Sequence, residues 1–195
     1  MLLGLWRREG RDDDGVHDVH DVNRGSRDRS IPADAPFNTA DVEFARSMIP
    51  HHAQAIQMAE MALSQTSSAQ IKDLAARIKS AQDPEIQTMR AWLTQWGQTV
   101  PDTGMSMDGG MGGMSTDGMM SGSDMKKLQS GMGAEFDQMF LSMMVIHHEG
   151  AVRMAETELT DGKFAPAKEL ATSVIDAQNA EIKEMQQLET SLPAG

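Results

Sequence analysis

Two adjacent histidine pairs, His51-His52 and His147-His148, lie in a chain of 195 residues that has no cysteine and 18 methionines. Without thiolate, soft-metal chemistry must rest on imidazole and thioether. Both are placed for it. Met48 and Met144 each precede a second histidine by four residues, within side-chain reach on a helix. Each pair then opens the same pattern, HHxxAxxMA, which adds Met58 and Met154. Further along, Glu85 with Met89 and Glu181 with Met185 put a carboxylate and a thioether on what should be a buried helix face. A buried carboxylate is costly unless something satisfies it, and the histidines across a helical hairpin can do so, with or without an ion between them. The metal candidates are therefore His51, His52, His147, His148, Met48, Met144, Glu85, Glu181, Met89, Met185, Met58 and Met154. Imidazole with thioether points to copper, Cu(I) ahead of Cu(II), rather than to zinc or iron.

These residues repeat at one offset, 147 − 51 = 96. At that offset Asp41 meets Asp137, Phe44 meets Phe140, Met48 meets Met144, and Ala55, Met58, Ala59, Glu60 and Leu63 find identical mates. The register continues ungapped through Leu74 and Leu170, Gln82 and Gln178, Glu85 and Glu181, Ile86 and Ile182, and Met89 and Met185. Chance does not hold one register across two elements and a turn, so the chain is a duplication.

The elements that carry the repeat read as helices. Ala, Leu, Glu, Gln and Met are abundant, and aromatics make up only 4%. Asn38 is a plausible N-cap with Asp41 three residues on, and Phe37 and Val42 suit a hydrophobic staple. A first helix is expected to about Leu63, kinked or short of one hydrogen bond at Pro50. Its stripe of Asp41, Phe44, Met48, Ala55, Ala59 and Ala62 should be buried, with His51 and His52 flanking it. Ser67 or Ser68 caps a second helix that ends near Gly97 and contains Pro84. Its buried face runs through Ile71, Leu74 and Ile78 to Gln82, Glu85 and Met89. A third helix spans about Ala134 to Leu159, stopped at Asp161-Gly162 with Gly162 as C′. Pro166 suits the first turn of a fourth, which ends before Pro193. Two hairpins that must each hide an apolar stripe do so against each other. The expected fold is all-α, a four-helix bundle.

Residues 1–36 are polar and expected to be a disordered tail, in which His17, Asp18, His20 and Asp21 could hold a metal weakly. Residues 37–97 form the first hairpin and 126–195 the second. Between them, residues 98–125 are rich in Gly, Ser, Asp and Met and read as a flexible loop. With no core to fill there, Met105, Met107, Met111, Met114, Met119 and Met120 are candidates for soft-metal capture. The formal charge of −12 argues against nucleic acid and anionic membranes, but not against cations. No apolar run is long enough to span a bilayer. The apolar start, Met1 to Trp6, is too short for a signal-peptide core.

With HHxxAxxMA present twice, the sequence resembles the bacterial "domain of unknown function three hundred and five" family. The likeness is carried by Asp41, Phe44, Met48, His51, His52, Ala55, Met58 and Ala59. It continues in Phe136, Asp137, Phe140, Met144, His147, His148, Gly150, Ala151, Met154 and Ala155. The second helix of each half adds Gln82, Glu85, Ile86 and Met89, then Gln178, Glu181, Ile182 and Met185. The resemblance covers about residues 37 to 192. It implies a ferritin-like bundle, exported from the cytoplasm and tied to copper handling. Two departures are the lack of a visible signal peptide or lipobox cysteine, and Pro50 where the second half has Ile146.

Three functions compete. The first is a protein that buffers copper or delivers it to a copper-handling partner. Its histidines would be the principal ligands and its glutamates would be ligands or imidazole-orienting partners. Binding would weaken below about pH 6 as imidazole takes protons. The second is a di-metal oxidase, which would use Glu-x-x-His on bundle helices; none is present, so no enzyme is expected. The third is a metal-free module for binding another protein.

Overall fold

The structure is a computed structural model that describes residues 28–103 and 117–191. The His17–Asp21 cluster and Met105, Met107, Met111 and Met114 lie outside the described residues. Five helices follow in order: α1 Thr39–Gln65, α2 Ala69–Trp96, α3 Gly122–Ser130, α4 Gly133–Asp161 and α5 Ala165–Ser191. There is no strand among the described residues. The four long helices make the all-α bundle. α1 packs on α2, α4 packs on α5, and α1 meets α4 along the central seam, whereas α2 and α5 barely touch.

The ends of the helices follow from local chemistry. Asn38 and Asp41 form a reciprocal capping box at the start of α1, and the staple residues Phe37 and Val42 are both buried. Ser68 caps α2, accepting from the Ile71 N–H, and Gly97 ends it in the left-handed region at φ 67°. Gly162 departs from expectation: it is the C-cap of α4 in extended backbone, φ −68° and ψ 155°, so the chain turns into α5 without a left-handed residue. Both Pro50 and Pro84 sit inside continuous helices.

Asp41 does more than cap. Its Oδ1 accepts from the backbone N–H groups of Lys163, 3.0 Å, and Phe164, 2.8 Å. This ties the start of α1 to the turn after α4, so the two central helices run antiparallel. Phe37 stacks on Trp96 at 4.4 Å, and Phe164 meets Trp96 edge-on at 5.2 Å, closing that end of the bundle.

The span read as a flexible loop, 98–125, is ordered at its C-terminal end. Ser121 and Asp124 form a second capping box and start α3, whose Met125 and Leu128 are buried in the core. Met120 packs against the same core. The Ser-x-x-Asp signal was present in the sequence, but the glycine and methionine around it masked a helix of only nine residues.

Candidate metal centre

Midway along the bundle one polar layer interrupts the apolar packing. It holds His51 and His52 from α1, Gln82 and Glu85 from α2, His147 and His148 from α4, and Gln178 and Glu181 from α5. On one side lies an apolar cluster with Phe44, Met48, Ile86, Met89 and Met154. On the other lies its repeat-related counterpart with Phe140, Met144, Ile182, Met185 and Met58. Methionines matched at the offset of 96 thus fall in opposite clusters, and the histidines come together at the middle.

His51 packs on His147 with ring centroids 3.7 Å apart at 39°. The other two histidines turn outward to α2 and α5. His52 Nε2 lies 2.7 Å from Glu85 Oε2, and His148 Nε2 lies 2.7 Å from Glu181 Oε2. His51 Nε2 sits 3.1 Å from the carbonyl oxygen of Asp117. A carbonyl only accepts, so His51 donates and is the Nε2–H tautomer, which leaves a lone pair on Nδ1. All four rings are at most 1% exposed. The Nδ1 atoms of all four histidines, His147 Nε2, and the Oε1 atoms of Gln82 and Gln178 are buried with no hydrogen-bond partner in the protein.

Electrostatics favours neutral rings at the centre. Burial, reinforced by His52, pushes His51 down to about 3. Burial, reinforced by His51, also holds His147 well below the usual imidazole range. Proton competition near pH 6, expected for a solvated imidazole, is therefore displaced downward at these two rings.

The sequence candidates fall into distinct places. The four histidines come together, with Glu85 and Glu181 bonded to the outer pair. Met48, Met58, Met89, Met144 and Met185 are fully buried, and Met154 is nearly so. Met119 and Met120 are half-buried in the segment before α3. Among the described residues no group of three or more His, Asp and Glu side chains converges as a ligand set. An ion held here would draw on ring nitrogens and neighbouring thioethers.

Several residues around this layer escaped the sequence reading. Asp117 and Gly118 cross the seam between α1 and α4, Arg153 grips Asp117, and Gln54 grips Met120. Asp117 is held below the usual carboxylate range by the Arg153 hydrogen bonds. One signal was available. Gly150, in mid-helix, stands where the first half has Gln54, and such a glycine marks a close backbone approach.

Known proteins share this fold. The model of the family described as "Domain of unknown function (DUF305)" matches residues 41–189. A DUF305 protein of Streptomyces coelicolor, presumed to be secreted, is similar at 31% identity and TM-score 0.68. The match covers 76% of this chain and 89% of that one. A DUF305 fragment from Deinococcus radiodurans is 27% identical with TM-score 0.70, covering 81% of this chain and 100% of that one. CopM in its Cu(I)-bound form is 32% identical with TM-score 0.64, covering 79% and 98%. Similar likenesses hold for CopM in Cu(II)-bound and Ag-bound forms. No curated protein sequence matches. The family match spans both copies of HHxxAxxMA and both second-helix patterns, and with the shared bundle it shows that this chain belongs to the DUF305 family.

Proposed function

We propose that this protein binds copper at the histidine layer and acts in copper buffering or delivery, as a binding protein rather than an enzyme. The observation that carries the reading is the set of unpartnered polar atoms in that layer. Leaving one buried donor or acceptor unmade costs about 1–3 kcal/mol, and here several lie together in an otherwise apolar bundle. An ion bound by ring nitrogens would satisfy the nitrogens among them. Glu85 and Glu181 then act as orienting partners: each accepts from one imidazole nitrogen and leaves the other to ligate, a common device at metal sites.

Copper is favoured over harder metals by the surroundings. The layer is flanked by thioethers. A d10 ion such as Cu(I) tolerates few ligands and soft donors. The copper- and silver-bound CopM structures support the same choice. In this reading Met48 and Met144 complete or shield the site, and the methionines of the segment before α3 capture Cu(I). A site of action outside the cytoplasm is supported by the presumed secretion of the Streptomyces relative; no described helix is long and apolar enough to cross a membrane.

The test is a Cu(I) titration of reduced, metal-free protein against a competing chelator. It is repeated on the His51→Ala/His52→Ala/His147→Ala/His148→Ala variant and on a variant lacking residues 104–116. Tight binding that drops in the histidine variant is expected. Binding no tighter than roughly micromolar in the intact protein, about −8 kcal/mol, would sink the copper reading. Loss confined to the deletion would move the function to the methionines.

A further inference from the structure

The short segment 117–120 lies across the α1–α4 seam, directly over the His51–His147 pair, and both helices are shaped to hold it. On α4 the seat is Gly150. A Cβ there would stand 2.2 Å from the Asp117 carbonyl oxygen and 2.8 Å from the Gly118 Cα. Gly118 itself has φ +74°, and a Cβ on it would stand 2.7 Å from the Ile146 carbonyl oxygen and 3.0 Å from that of His147. Only two glycines facing each other let the backbone pass this close.

Three further contacts fasten the segment. Arg153 forks onto Asp117, Nε to Oδ2 at 2.6 Å and Nη2 to Oδ1 at 2.7 Å. From α1, Gln54 clamps the backbone of Met120: its Oε1 accepts from the Met120 N–H at 2.7 Å, and its Nε2 donates to the Met120 carbonyl at 2.9 Å. Beneath them the Asp117 carbonyl accepts from His51 Nε2. None of this follows from the duplication. At the offset of 96 the mate of Gly150 is Gln54, and the mate of Arg153 is Gln57.

From these contacts we propose that residues 117–120 form a latch that an ion must lift to enter or leave the His51–His147 pair, and that Gln54, Gly150 and Arg153 set how often it lifts. While closed, the latch also fixes the side of His51 that can ligate, because the Asp117 carbonyl holds the proton on Nε2. The gating role rests on the copper reading of the histidine layer; the latch itself rests on geometry alone. The two fastenings differ in kind. The Arg153–Asp117 pair is about half exposed, so salt weakens it, whereas the Gln54 clamp is uncharged.

The experiment has a metal-free arm and a metal arm on the full chain. The first measures the rate at which diethyl pyrocarbonate modifies His51 and His147, mapped by peptide mass. The variants are Arg153→Gln, Gln54→Ala and Gly150→Ala. The last replaces a mid-helix glycine by a better helix former, so α4 is retained. Arg153→Gln should raise modification about fivefold, the worth of one exposed bidentate pair, and that gain should vanish at about 1 M salt. Gln54→Ala loses two hydrogen bonds and should give about tenfold or more. Gly150→Ala should give the largest rise. The second arm measures Cu(I) release to excess chelator, and release should accelerate in the same order. Unchanged modification in Gly150→Ala overturns the latch, whatever the protein binds. Faster modification with unchanged Cu(I) release overturns the gating role. Faster modification in a protein that holds no Cu(I) overturns the copper reading, and the gate with it.

Discussion

Replacing Glu158 by Gln tests whether a proton, rather than a charge, occupies one corner of this bundle. Glu158 lies in the last turn of α4, is 1% exposed, and receives no hydrogen bond from a donor at either carboxyl oxygen. Its neighbour is Asp41, whose own oxygens are already engaged by the backbone N–H groups of Asn38, Lys163 and Phe164. Burial, then Asp41, pushes Glu158 up from 4.5 to about 8. A carboxyl whose folded value is raised contributes fully below its unfolded value and loses that contribution as pH rises toward the folded one. Each unit is worth about 1.4 kcal/mol. The ceiling is therefore about 5 kcal/mol lost by about pH 8, and about 3 kcal/mol by pH 7. The side chain stands one turn from the end of α4 and can swing toward water instead of ionising in place, so about half of that is expected. Gln keeps the shape, carries no charge and can donate to Asp41. The variant should equal the wild type near pH 5 and exceed it by about 2 kcal/mol above pH 7, which is about 4–8 °C in Tm for a chain of this size. Thermal unfolding of the metal-free protein, followed by circular dichroism between about pH 5 and pH 9, reads this directly. Parallel Tm curves for the two proteins would refute the reasoning, and so would a Gln variant that is less stable at the alkaline end.

Glu85→Gln and Glu181→Gln should each weaken Cu(I) binding by about ten- to a hundredfold, the usual cost of losing an imidazole-orienting carboxylate. The two should act alike, because the contacts they remove are repeat-related at the same 2.7 Å; chelator competition measures both, and unchanged affinities would leave the carboxylates a purely structural role. Met125→Ala should cost about 2–4 kcal/mol in urea unfolding, since Met125 is 2% exposed and seats α3 on the core. A loss under about 0.5 kcal/mol would mean that α3 does not dock.

The bundle was legible because the sequence match at the offset of 96 states its long-range contacts twice. A single helix shows which face is apolar, not what it faces. The ungapped offset of 96 tied His51-His52 to His147-His148, and Gln82 and Glu85 to Gln178 and Glu181, so the two halves had to meet as equivalents. The stripe of Asp41, Phe44, Met48, Ala55, Ala59 and Ala62 is buried throughout. The methionines were less legible. Thioether is both a ligand and a core filler, and periodicity places Met89 and Met185 on the right face without saying that they sit in the apolar clusters beside the polar layer. The latch was hidden for a different reason. Its fastenings are backbone carbonyls, two glycines and a bidentate pair 36 residues apart in sequence, none of which leaves a periodic trace.

The places where the two halves differ say more about function than the places where they agree. Agreement, at the histidines, Gln82 with Gln178 and Glu85 with Glu181, builds one symmetric layer, and a symmetric layer alone would open equally to both sides of the seam. Some of the differences lie beside it, and one lies at the end of the bundle. Gln54 faces the latch where the repeat has Gly150, Gln57 stands where it has Arg153, Pro50 stands where it has Ile146, and Ala62 stands where it has Glu158. The first two make one side of the seam a seat for passing backbone and the other a clamp. The last leaves a buried acid beside Asp41 only at the end where α1 meets the α4–α5 turn; its repeat-related counterpart, Asp137, retains an unpartnered oxygen instead. Drift on an unused surface would not place a glycine under a backbone crossing and a guanidinium on the carboxylate of that same crossing. The residues the two halves share supply the ring nitrogens, and those in which they differ decide from which side, and how readily, they are reached.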